Sequence, residues 1–203
     1  MRGHLVTLVG AMVLAGCAAT RQPAWPQPGA ALDDGSPAMR AMAQLRLPPA
    51  LREADVALSQ RLSVSSLAAP RATPEVVDVQ LEIDAQGLRL AGFAMGMRVL
   101  SLRWDGAALK EERHPRLPSH VDGQRILRDL SLVYWPAQAL RAQLAPGCEL
   151  QESAQQRQLW CDGQLQWRLQ WQGQLLGQSQ LQIENFAEQY RLTIESQPVG
   201  GDA

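Results

Sequence analysis

The chain has 203 residues, 46% of them hydrophobic and 19% charged, with a formal net charge of −1. That length allows one domain with a sizeable core, and the near-neutral balance leaves no electrostatic footprint for nucleic acid.

The N-terminus reads Met1-Arg2-Gly3-His4, an apolar run from Leu5 to Leu14, then Ala15-Gly16-Cys17. A basic start, a short apolar run and small residues predict a secretory signal, and the run is too short to span a bilayer. No later stretch is apolar enough to cross a membrane. The order Leu14-Ala15-Gly16-Cys17 resembles the processing site of a bacterial lipoprotein. The resemblance implies that residues 1–16 are removed, that the Cys17 thiol is diacylated and that the new amino terminus is acylated. Several acyl chains anchor far more firmly than one. Ala18 and Ala19 stand where an Asp would imply retention at the inner membrane, so the implied location is the outer membrane, facing the periplasm. The competing reading is an ordinary signal peptide with a chance cysteine.

Prolines 23, 26, 28 and 37 and glycines 29 and 35 break any periodicity and predict a flexible tether, taken to about residue 50. Within it, Met39 to Leu47 is expected to form a short helix stopped by Pro48-Pro49. The folded domain is expected over residues 51–198, with 199–203 as a disordered tail.

Ala57 to Ser66 offers a first strand. Val77, Val79, Leu81 and Ile83 then alternate with Asp78, Gln80, Glu82 and Asp84, the period of a half-buried strand. Gln86-Gly87 turns the chain into Leu88 and Leu90, and Leu100, Leu102 and Trp104 end at Asp105-Gly106, a strong hairpin signal. Between these runs, Gly92-Phe93-Ala94-Met95-Gly96-Met97 reads in two ways. Phe93, Met95 and Met97 either sit at an apolar turn tip that enters a membrane, or point inward along a continuous strand.

Asp122 to Leu144 leaves the alternation for helical spacing at Ile126, Leu127, Leu130, Val133 and Tyr134. Asp122 suits an N-cap, and Pro136 suits the start of a second helix over Ala137 to Leu144, before Pro146-Gly147. A turn centred between Ala154 and Gln155 would set Glu152 against Arg157, Leu150 against Leu159 and Cys148 against Cys161. In an oxidising compartment that register predicts a disulfide between Cys148 and Cys161, the alternative being two buried free thiols. After Asp162-Gly163, Leu165, Trp167, Leu169 and Trp171 face one way, and Leu181, Ile183, Tyr190, Leu192 and Ile194 continue the strands. Two antiparallel meanders flanking a helical insert predict a mainly β fold, a strongly curved sheet with a covered concave face.

Together these features resemble LolB, the outer-membrane lipoprotein receptor family. Leu88-Arg89-Leu90 followed by Phe93-Ala94-Met95-Gly96 resembles its apolar loop, with Met95 at the place of its exposed leucine, and Trp135-Pro136-Ala137-Gln138-Ala139-Leu140 resembles one of its helices. Val99 to Gly106, His114-Pro115, Leu117-Pro118, Arg128-Asp129-Leu130 and Tyr134-Trp135-Pro136 look more like a family of LolB-like lipoproteins often encoded beside aryl-polyene lipid genes. The resemblance implies an unclosed antiparallel β-barrel whose helical insert covers an apolar cavity. Such a protein accepts acyl chains of a lipid or lipoprotein, from a periplasmic LolA-like carrier, and passes them to the outer membrane. The expected cavity lining is Leu81, Leu90, Leu102, Trp104, Leu130, Tyr134, Leu169 and Trp171. No cofactor or metal is expected.

Two other readings stay open. The apolar faces could fill a packed core in an accessory lipoprotein that docks a partner. Ser119-His120 with Asp122 has the residue types of a hydrolase, and His114, His120 and Asp122 those of a metal site, but neither spacing fits a known pattern and no Gly-x-Ser-x-Gly elbow is present. An enzyme is therefore not expected.

Overall fold

A computed structural model of the protein describes residues 36–118 and 121–200. The signal segment, Cys17, most of the expected tether, Ser119 and His120 lie outside the described residues.

Ten strands form one antiparallel sheet: β1 Val56–Ser66, β2 Glu75–Asp84, β3 Gly87–Ala94, β4 Met97–Trp104, β5 Leu109–Arg113, β6 Cys148–Ser153, β7 Gln156–Cys161, β8 Gln164–Gly173, β9 Ser179–Asn185 and β10 Tyr190–Pro198. The order is β5-β4-β3-β2-β1-β10-β9-β8-β7-β6, with β5 and β6 as unpaired edges, so the sheet is an unclosed barrel. Each half is a meander of successive hairpins. The halves join where β1 pairs with β10, Leu62 opposite Ile194 and Val64 opposite Leu192.

Alternation drives the curvature. Val79, Leu81 and Ile83 of β2 are buried, as are Trp167 and Leu169 of β8, while their neighbours in sequence face outward. On the concave side lie α1 Pro37–Ala43, a single 3-10 turn at Pro49–Leu51, α2 Gly123–Tyr134 and α3 Ala137–Arg141. The Asp122 carboxylate caps α2, accepting from Gln124 N at 2.8 Å. None of the described helices is long and apolar enough to cross a membrane.

Three expectations need correction. The first helix spans Pro37–Ala43 instead of Met39 to Leu47, because Ser36 caps it and the chain extends after Gln44. Residues 36–50 are also no free tether. Met42 and Leu47 are 2% and 0% exposed, and the Trp104 and Trp135 indoles donate to Leu47 O and Pro48 O. This strap packs across one end of the concave face. The third helix stops at Arg141, three residues short of the expected Leu144.

Candidate functional site

The concave face is filled at one end and open at the other. Leu81, Leu102 and Leu169 are at most 1% exposed and Trp104 5%, buried under the strap and helices. These four expected cavity residues are core, and Trp171 does not reach the cavity either. The strap is the cause: Met42, Leu45 and Leu47, expected in a free tether, fill that end of the concave face.

The open end holds an apolar cavity of about 260 Å³, close to the lower limit of about 300 Å³ usual for small-ligand pockets. Leu90, Leu130 and Tyr134, expected at the site, do line it. Its floor crosses the seam, with Leu62 and Val64 from β1 and Leu192 and Ile194 from β10; Val77 and Val99 extend it toward the β3–β4 hairpin. Its roof is α2, through Ile126, Leu130 and Val133. Ile126 and Leu130 are only half-buried although they belong to the helix's apolar stripe, because they face space where a packed core would supply partners.

The lining also includes the polar residues Glu75, Asp122, Arg125 and Gln189, and two hydrogen-bonded sets of polar groups stand in it. Deep inside, Gln60 and Tyr134 are each 5% exposed, and Gln60 Nε2 donates to Tyr134 Oη and Ser196 Oγ, both at 2.8 Å. Burial pushes the Tyr134 phenol up to about 12. Nearer the helix start, Asp129 accepts from the Tyr190 hydroxyl and from Arg128 Nε at 3.0 Å. Arg128 also donates to both Glu188 oxygens, at 2.6 and 3.2 Å. This network ties α2 to the β9–β10 turn. Burial raises the Asp129 carboxyl against the opposing pull of Arg128, and burial with the Asp129 charge pushes Tyr190 up.

The β3–β4 hairpin lies at the same end of the sheet. Met95 and Gly96 form its two-residue turn at φ +50° and +75°, and Met95 is 93% exposed. The chain therefore turns at Met95-Gly96 and does not run on as one strand, while Phe93 lies within β3 and Met97 begins β4. Met97, 53% exposed, is two residues from the cavity-lining Val99 on the same face of β4, and Val76, 45% exposed, is the second residue of the nearby strand β2. Phe93 is half-buried beside a register shift at Gly92.

The β6–β7 hairpin has the expected register, with Cys148 opposite Cys161 and Glu152 opposite Arg157. The two cysteines are bonded, their Cα atoms 4.0 Å apart. Asp162 N donates to Gly147 O, so the bonded pair precedes the narrow, non-hydrogen-bonded pair that the disulfide spans. Of the residues with hydrolase or metal-site types, Asp122 is occupied as the helix cap, and the His114 Nδ1 accepts from Arg116 N. Among the described residues no three His, Cys, Asp or Glu side chains gather as a metal site would require.

A model for a family described as a protein of unknown function, DUF3261, matches residues 57–198. The chain belongs to the DUF3261 family. No curated protein matches it. The DUF3261 match runs from the second residue of β1 to the last of β10, so the family unit is the whole sheet with α2 and α3. The strap and α1 precede the matched DUF3261 segment, yet they complete its core.

Proposed function

We propose that this protein is an outer-membrane lipoprotein that takes acyl chains of a lipid or lipoprotein into the cavity beneath α2 and delivers them to the membrane. The carrying observation is the pairing of an apolar, open-ended cavity with an exposed apolar turn at the same end of the sheet. Water fills such a cavity poorly, and an acyl chain has no polar group to leave unpaired there. The turn carries two costs that a merely structural tip would avoid. A two-residue hairpin turn with positive φ favours Asn or Gly at its first position, and Met95 holds it at φ +50°. A methionine 93% exposed also leaves its apolar surface in water. Both costs make sense if the tip enters a bilayer, beside the mouth from which the chain leaves. The anchor at Cys17 would keep that mouth at the membrane surface, with a periplasmic LolA-like carrier as donor.

Met95→Asn tests the role of the tip without threatening the fold, because Asn suits the turn better than Met. The expected result is an unchanged or slightly higher melting temperature, lipid still co-purifying by mass spectrometry, and transfer to liposomes reduced about tenfold. Transfer at the wild-type rate would remove the loop's role. Absence of any co-purifying lipid from both proteins would favour an accessory lipoprotein that docks a partner.

A further inference from the structure

Two adjacent strands bound the cavity at the same depth. On β1 the lining runs from Gln60 to Val64, and on β2 from Val79 to Glu75. Gln60 pairs with Val79 and Val64 with Glu75, so two register pairs four residues apart mark its ends. At the rise of a strand that span is roughly 13 Å. Glu75 is exposed, which puts the Val64–Glu75 pair at the mouth. Beyond Gln60 and Val79 the next inward-facing pair is Leu58 with Leu81, each 0% exposed and part of the packed core. The closed end is also fixed. Gln60 Nε2 donates to Tyr134 Oη at 2.8 Å across it, and the strap behind is held by Trp104 Nε1 on Leu47 O at 3.2 Å and Trp135 Nε1 on Pro48 O at 3.0 Å. A core packed in this way resists the insertion of further atoms.

We infer that the cavity holds a single acyl chain of medium length, so that its ligand class is the single-chain lipid and not a lipoprotein that must bury several chains. This rests on the acyl-binding reading above and narrows the ligand. With single bonds of about 1.5 Å at tetrahedral angles, roughly 13 Å is filled by about ten carbons of an extended chain. The volume of about 260 Å³ agrees, since pockets of about 300–1,000 Å³ serve one drug-sized molecule. A second chain would need the space that Leu58, Leu81 and the strap already fill. Each methylene gains by leaving water only as far as the cavity reaches, so carbons beyond the mouth add little.

The test measures binding of saturated fatty acids of increasing length by calorimetry, each below its micelle concentration. It uses the full chain carrying Cys17→Ser, which removes the proposed acylation site. Affinity should rise about fourfold per added carbon up to about ten carbons and then level off, with one acid bound per protein. Leu130→Phe in the roof and Leu62→Phe in the floor both fill the cavity, and each should move the levelling-off point to shorter acids. Two variants on opposite walls keep a folding defect in one from deciding the result. A fourfold gain that continues through palmitic acid, or two acids bound per protein, would overturn the inference while leaving acyl binding intact. A levelling-off point unmoved in both variants would place the acid elsewhere and overturn it too. If no acid binds, acyl binding itself fails, and the inference with it.

Discussion

Arg157 shows how one residue can terminate a helix. Its side chain is 5% exposed, and Nη1 donates to Leu132 O at 2.6 Å and Trp135 O at 3.0 Å, carbonyls left without partners at the end of α2. Nη2 reaches Glu152 at 2.8 Å. A strand residue thus closes a helix that the chain left 22 residues earlier, at Trp135. Arg157→Met should cost about 3–5 kcal/mol in urea unfolding, since it strands carbonyls and a carboxylate together. Glu184 plays a comparable part on the outer face. Its side chain is 5% exposed and lies between Arg168 and Arg191 on the flanking strands, Arg191 Nη2 at 2.7 Å. Burial alone would raise the carboxyl, but the two guanidiniums hold it below the usual range. A lowered carboxyl contributes stability above its unfolded value, and that stability is lost as pH falls through the folded one. Melting temperature measured from neutral to acid pH should therefore fall less steeply in Glu184→Gln than in wild type, from a lower neutral starting point.

At the scale of elements, the β6–β7 hairpin is the best-determined unit. An ion pair, a leucine pair and a disulfide share one register, on an edge strand that has no other partner. Replacing both cysteines by serine should lower unfolding free energy by about 3 kcal/mol, the figure for a closed loop of similar length, and a reductant should do the same to wild type. Hairpins of this kind were legible in the sequence because opposite-charge and apolar pairs constrain the turn locally. The β2–β3 and β8 faces were legible for a related reason: alternation reports burial one strand at a time. Other parts were hidden. β5 reads Leu-Lys-Glu-Glu-Arg, whose one apolar residue gives no period, because only one of its edges is paired. The strap is not legible in the proline-rich segment before it, since no local pattern shows that Leu45 and Leu47 join one core with Trp104 and Trp135 of distant elements. Gln60 and the Asp129–Tyr190 network escaped as well. Polar residues on an apolar face weaken the periodic signal, and only the fold brings Arg128 and Glu188 together, 60 residues apart.

For the whole molecule, the proposed activity depends on holding the cavity mouth against a bilayer. Cys17 precedes Ser36, the first described residue, by 19 positions, a reach of at most roughly 65 Å if fully extended. Cys17→Ser should move the protein from the outer-membrane fraction to the soluble or unprocessed fraction, because the thiol is the proposed acylation site. Wild-type fractionation of that variant would disprove the anchor.

The seam between β1 and β10 also governs the order in which the protein comes into being. Each meander can zip up from its own hairpins as soon as its strands exist, since every pairing within it is between successive strands. The seam pairs residues 58–66 with 190–198, the first strand with the last. Loop closure over that span is slow compared with hairpin formation. Because Leu62 and Val64 of the cavity floor come from one side of the seam and Leu192 and Ile194 from the other, a newly made chain has no complete cavity until its final strand docks. A chain interrupted before Tyr190 would present two half-sheets with apolar faces and no cavity floor between them.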